Sequence, residues 1–233
     1  MDHFHYREGQ YFAEGVPLAR IASAVGTPCY VYSRAILEQQ WRLFDDAFGD
    51  YPHRIHYAVK ANGNLAILNL LCQMGSGFDI VSGGELERVL KAGGRPDDVV
   101  FSGVGKRESE ITSALETGIH CINVESAAEL DRVDRIAGTL GVVADIALRI
   151  NPDVDPHTHP YIATGLRETK FGVPTDQVPD LVRQAHDASH VKIIGLACHI
   201  GSQLTELSPF TAALDRVLDL VFSLRQEGLQ LKH

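Results

Sequence analysis

The sequence predicts an α/β protein built on a parallel sheet, and three observations predict it. Short apolar segments alternate with amphipathic ones at about 20–25 residue spacing, the rhythm of strand followed by helix. The apolar segments are rich in Val and Ile, and no hairpin turn joins two of them, as expected of parallel strands buried on both faces. Six successive strands end in a polar residue: Lys60, Asp79, Ser102, Asn123, Arg149 (with Asn151) and His199. In a closed (β/α) barrel such ends form one rim around one pocket. In an open doubly wound sheet they would spread along an edge, and only the switch point would be used. The strand ends therefore favour the barrel.

The elements follow in order. The first 27 residues are irregular, with a short strand at Tyr11-Phe12 and a short helix over Leu18 to Val25. Cys29 to Tyr32 reads as a strand, and Ser33 caps a helix running to Phe48. His53 to Lys60 reads as a buried strand that stops on a lysine. Asn62, Gly63 and Asn64 then supply turn chemistry, and Asn64 caps the next helix, Leu65 to Met74. Strands are expected at Phe78–Val81, Val99–Ser102, His120–Val124 and Val142–Ile150. Helices follow the first three of these, at Gly84–Ala92, Glu108–Thr117 and from the Ser126/Glu129 capping box to Gly141. A long loop covers Asn151 to Thr175, then a helix Asp176–Ala188. A strand Val191–His199 and a helix Leu207–Gln226 ending at Gly228 complete the series.

Composition narrows the function. The 233 residues are 45% hydrophobic and 22% charged, which suits a globular chain with a large core. The net charge of -9 and the lack of a basic run argue against nucleic acid as a partner. No apolar run reaches membrane-spanning length and no signal core opens the chain, so the cytoplasm is the expected compartment. Cys29, Cys72, Cys121 and Cys198 form no C-x-x-C pair and read as small buried thiols.

Lysine at the mouth of a buried strand is partly desolvated, which favours its free amine and Schiff-base chemistry. Alone, Lys60 is more readily a solvated strand end, and the rest of the chain reverses that balance. Arg149 commonly pairs with a local carboxylate, Asp79 can be a helix cap, and His199 can be a satisfied strand-end histidine. Together the set suits an anionic ligand with a reactive carbonyl. Two motifs mislead. Gly103-Val-Gly105-Lys106 lacks the first glycine of a phosphate loop, because Val100 stands there, and Gly75-Ser-Gly77 lacks the third glycine of a dinucleotide fingerprint. His157-x-His159 and Asp153-x-Asp155 do not form a complete metal site, and no metal is expected.

The blocks Tyr57-Ala-Val-Lys60-Ala-Asn, Gly77-Phe-Asp-Ile-Val-Ser-Gly-Gly-Glu-Leu86 and Val100-Phe-Ser-Gly-Val-Gly-Lys106 resemble the fold-type-III enzymes of pyridoxal phosphate (PLP). They are similar to the ornithine/diaminopimelate/arginine decarboxylase family. Arg149-Ile-Asn-Pro152, His159-Pro-Tyr-Ile162, Thr169-Lys-Phe-Gly172 and Cys198-His-Ile-Gly-Ser-Gln203 resemble the bacterial diaminopimelate decarboxylases in particular. The resemblance implies an alanine-racemase-like PLP-binding (β/α)8 barrel, and it assigns roles. Lys60 would bond the cofactor, with Ala58 beside it in the same motif. His199 would stack on the pyridine ring. Ser202 would lie near the phosphate, where Gly201 lets the backbone approach. Asp79 and Glu85 would set the protons near Lys60, and Arg149 would support the ring environment. The implied reaction converts meso-2,6-diaminopimelate to L-lysine and CO2, in a homodimer with shared sites.

Members of that family are much longer. The chain is therefore expected to be an N-terminal fragment holding about six barrel strands, with residues 28–233 the incomplete barrel and 1–27 a segment that packs on a β-domain. Alone it is expected to bind PLP poorly and to turn over negligibly. Other readings are a non-catalytic single-domain PLP-binding barrel, another decarboxylase or racemase of this fold, and a barrel in which Lys60 is purely structural.

Overall fold

A computed structural model describes residues 3–154, 171–202 and 204–233. Asp155, His157, His159, the block to Ile162 and Thr169-Lys170, along with Gln203, lie outside the described residues. The chain forms two compact units, 1–55 and 56–233.

The first unit opens with an antiparallel sheet, β1 (Phe4–Arg7), β2 (Gln10–Ala13) and β3 (Val16–Pro17), followed by helices α1 (Leu18–Val25) and α2 (Arg34–Phe48). Ser33 caps α2 as its residue type predicts: its hydroxyl oxygen accepts from the Ile36 amide at 3.1 Å. The same hydroxyl donates to Glu14 at 2.6 Å, and the Ala35 amide donates to that carboxylate at 3.0 Å. These two bonds, the hydroxyl first, hold the Glu14 carboxyl below its usual range. The expected strand at Cys29–Tyr32 is not formed. Its aromatic residues gave it strand character, but Tyr30 is 91% exposed, and the segment forms no ladder with a neighbouring strand.

The second unit is a strand–helix series. It runs β4 (His56–Ala58), α3 (Leu65–Gln73), β5 (Gly77–Ile80), α4 (Gly83–Lys91), β6 (Val99–Phe101), α5 (Glu108–Thr117), β7 (Cys121–Val124), α6 (Ala127–Leu140), β8 (Ala144–Asn151), the short β9 (Val173–Pro174), α7 (Val178–Asp187), β10 (Val191–Cys198) and α8 (Ser208–Gln226). Every pairing in this sheet is parallel, in the order β10-β8-β7-β6-β5-β4, with β9 pairing to β8. The elements match the sequence expectation to within a few residues. The largest departure is at the organising strand. Only His56–Ala58 is strand, and Val59–Ala61 forms a 3-10 turn that carries Lys60 out of the sheet.

Alternation of side chains along each strand separates core from cavity. Phe78, Ile80, Phe101, Ile122, Val124, Ile146, Leu148 and Ile150 are fully buried. Between them stand Asp79, Val100, Asn123 and Arg149, which face a shared interior. Beyond Ile194, the backbone of β10 also receives the end segment: Lys232 and His233 amides donate to the Ile194 carbonyl at 2.7 and 3.0 Å, and the Leu196 amide donates to the His233 carbonyl at 3.1 Å. A Cβ at Gly195 would overlap that carbonyl, so glycine is what lets the two backbones meet.

The four cysteines are free, but they are not uniformly buried. Cys121 is buried and Cys72 half-buried, while Cys29 and Cys198 are exposed, because both lie where regular structure gives way to loop. No helix among the described residues is long and apolar enough to cross a membrane.

Candidate active site

A cavity of about 780 Å3 opens inside the sheet, and every barrel strand contributes to it. Ala58 and Lys60 come from β4 and its 3-10 turn, Asp79 from β5, Ser102 from the end of β6, Asn123 from β7 and Arg149 from β8. His199 and Ser202 follow β10. The six strand-end residues singled out in the sequence thus share one cavity. Lys60 is exposed within this unit, not desolvated as the buried-strand reading expected, because the 3-10 turn lifts it off the sheet.

Two buried ion pairs frame the cavity. Arg149 Nη1 donates to Glu125 Oε1 at 2.9 Å, with the Glu125 side chain only 2% exposed. Glu125 also accepts from the Gly103 amide at 2.8 Å and the Gly172 amide at 3.3 Å. One carboxylate therefore ties the turn after β6, the end of β8 and the start of β9 together. The Arg149 guanidinium carbon lies 5.1 Å from the Phe171 ring centroid, a cation–π contact. The second pair is Lys106 with Glu129, at 2.8 Å. Lys106 Nζ donates also to the carbonyls of Gly103 at 2.6 Å and Asn123 at 2.7 Å, so its three protons are all used. Glu129 completes only half of the expected capping box. Its amide donates to Ser126 Oγ, but its carboxylate accepts from the Glu125 amide instead of that of Ser126.

The polar groups facing the cavity are unevenly satisfied. Asn123 Nδ2 donates to Ser102 Oγ at 2.9 Å. Asp79 Oδ1 and Arg149 Nε are buried without a hydrogen-bond partner among the described residues. Burial raises the Asp79 carboxyl above its ordinary range, against the opposing pull of the Ser102 hydroxyl and the charges of Lys60, Arg149 and Lys106. Lost hydration, then the positive charges of Arg149 and Lys60, hold the His199 imidazole below its usual range. His199 is exposed at the cavity mouth, so this desolvation is partial.

Two of the sequence candidates stand apart from the lining. Glu85 Oε2 accepts from the Val81 amide at 2.7 Å, which turns the carboxylate to the start of α4. Gly201 is not a lining residue, but its φ of 145° is a backbone conformation that favours glycine, between the lining residues His199 and Ser202. Sequence reading missed Glu125 and Lys106. The only signal for Glu125 was its place directly before the Ser126 cap.

The sequence pattern described as "Pyridoxal-dependent decarboxylase, pyridoxal binding domain" matches residues 34–233. The chain belongs to this decarboxylase family. Diaminopimelate decarboxylase of Vibrio cholerae is 59% identical over all of this chain, and that of Pseudomonas aeruginosa 55%. The decarboxylase-family chain spans about 56% of the length of each of these relatives. Among solved structures, diaminopimelate decarboxylase of M. jannaschii in co-complex with L-lysine superimposes with a TM-score of 0.93 at 36% identity, over 99% of this chain and 55% of that one. The Helicobacter pylori enzyme complexed with L-lysine gives 0.89 at 41% identity, over 92% of this chain and 55% of that one. The parallel barrel strands expected from the sequence are the fold these decarboxylases share.

Proposed function

We propose that this chain is the PLP-holding barrel portion of a diaminopimelate decarboxylase, converting meso-2,6-diaminopimelate to L-lysine and CO2. One observation carries the reading: the ends of six successive parallel strands place Lys60, Asp79, Arg149 and His199 around one cavity. The relatives named above support the substrate, and two of their solved structures hold L-lysine.

The residues present fit PLP. A cavity of about 780 Å3 lies within the range of cofactor pockets. Lys60 offers an accessible amine, and Asp79 Oδ1 and Arg149 Nε are buried polar atoms still lacking partners among the described residues. PLP, when bound, supplies the electron sink for the pair left as the carboxylate departs as CO2.

The chain's own residues do the rest. Lys60, whose side chain is exposed within this unit, would hold the cofactor through its amine. His199, its imidazole held below its usual range by lost hydration first and then by the neighbouring cations, would offer a flat ring to the cofactor. Asp79 holds or releases a proton beside Lys60, because burial brings its carboxyl closer to neutrality. Arg149 keeps a fixed positive charge over the site, its angle set by Glu125. The Ser202 hydroxyl, with the backbone at Gly201, would hold the cofactor phosphate. Glu85 fixes the Val81 amide at the cavity edge.

Residues 28–233 form the barrel portion in this reading, with 1–27 packing on a β-domain, and the working enzyme is a cytoplasmic homodimer. The isolated 233-residue chain turns over negligibly. Among the described residues β4 pairs only with β5, and α8 exposes Phe210, Leu214, Leu218 and Phe222 at every fourth position. The test is an absorption spectrum of the chain with added PLP, borohydride reduction and peptide mapping. Label on Lys60 that vanishes in Lys60→Ala supports the reading. Label scattered over other lysines overturns the reading that these six strands suffice to set Lys60 against the cofactor.

A further inference from the structure

We propose that His120, Cys121 and His233 form a binding site for a thiophilic divalent transition metal, of the zinc(II) class, at the starts of the barrel strands. The site lies at the strand starts, away from the strand-end residues, although His233 also lines the cavity that Lys60 enters.

The three side chains come from distant parts of the chain. His120 and Cys121 open β7, and His233 reaches them from the segment hydrogen-bonded along β10. One ligand atom from each lies within 4.8 Å of the other two. Ligand atoms of a tetrahedral zinc site stand roughly 3.5 Å apart, given metal bonds of about 2.0–2.3 Å. To bind a metal, the half-buried His120 and the exposed His233 must turn about their side-chain torsions to close this difference. The imidazoles of His120 and His233 meet edge to face with centroids 5.1 Å apart, and His56, the first residue of β4, packs 6.3 Å from His233. Three histidines and a thiol thus converge where the sequence showed no metal spacing at all.

The chemistry selects the ion. One thiolate and two imidazoles favour zinc(II) or cobalt(II) over magnesium or calcium, which require oxygen ligands. Three protein ligands leave a fourth position for water. Without a metal the Cys121 thiol is pushed up to about 12 by burial first, and then by the negative charges of Asp145 and Asp79. Binding replaces the thiol proton, which leaves to solvent, with a sulfur–metal bond, and no electron transfer is involved. The metal ties β7 to the end segment on β10, two elements separated in the sheet by β8.

Cobalt(II) is the probe. The full chain, kept reduced, is titrated with cobalt(II) chloride while thiolate-to-metal charge transfer is followed in the near ultraviolet. We expect one saturable band, displaced by zinc(II) and lost in Cys121→Ser. His120→Ala and His233→Ala weaken binding by more than about tenfold, at least the cost of losing a supporting residue at known sites. A Cys29→Ser, Cys198→Ser double variant keeps the band. No band, a band that survives Cys121→Ser, or one that follows the exposed thiols overturns the proposal. Should Cys121→Ser fail to fold, unchanged affinity in both histidine variants overturns it as well.

Discussion

Lys106–Glu129 and Arg149–Glu125 are both buried ion pairs beside the ends of β6, β7 and β8, yet they are finished differently. Lys106 spends every proton on protein: a carboxylate and two carbonyls. Its side chain is 1% exposed, and nothing is left for a ligand. Arg149 gives one nitrogen to Glu125 and turns its guanidinium to the cavity, with Nε unpartnered among the described residues. A charge whose partners are complete holds the fold, and a charge with capacity left over is available to a ligand. By this criterion the lysine in the phosphate-loop lookalike is structural, and the arginine belongs to the site.

The comparison can be broken most directly at Lys106. Lys106→Met leaves Glu129 buried without its cation and should cost about 3–5 kcal/mol, read as a lower urea midpoint. Arg149→Met should cost less, about 1–3 kcal/mol, because the Gly103 and Gly172 amides still serve Glu125. That variant should nevertheless lose the Lys60-directed PLP label. If Arg149→Met destabilises more than Lys106→Met and keeps the label, the two roles are reversed.

A smaller effect lies in pH. The Asp79 carboxyl is raised in the folded chain, so between its ordinary value of 3.8 and the higher folded value the native state binds more protons than the unfolded one. Stability therefore falls as pH rises through that window. Asp79→Asn should flatten this part of the stability profile, measured by urea unfolding at a series of acidic pH values. An unchanged slope would remove Asp79 as its source. The smallest expected effect is peripheral. Ser33→Ala removes the cap of α2 and the hydroxyl on Glu14, for about 1 kcal/mol by thermal unfolding of the chain, with the PLP label intact.

Much of this was readable in the sequence because it is local. A polar residue directly after an apolar run marks a strand end, and six of them in succession mark a rim. The helix starts at Ser33, Asn64 and Ser126 are set by their own side chains. The partners of the charges were not readable, because Lys106 and Glu129 are separated by 23 positions and Arg149 and Glu125 by 24, and only the stacking of β6, β7 and β8 brings them together. The exposure of Lys60 was misjudged for a related reason. A strand pattern in Ile55, Tyr57 and Val59 gives no warning that the last turn winds into a 3-10 helix. Cys29–Tyr32 shows the converse: strand composition without a neighbour to pair with remains irregular chain.

The pairing order β4, β5, β6, β7, β8, β10 follows the order of synthesis, interrupted only by the short β9. From β4 to β8 each strand pairs with the one made just before it, and the loop to be closed at each step is about one helix long; only the step from β8 to β10 spans a longer connection, which includes β9 and α7. Loop-closure entropy is then met in small instalments, not across the whole chain. Such a sheet can grow from one side as the polypeptide leaves the ribosome, each strand serving as the template for the next. The backbone bonds from Lys232 and His233 to Ile194 are a further step in the same direction.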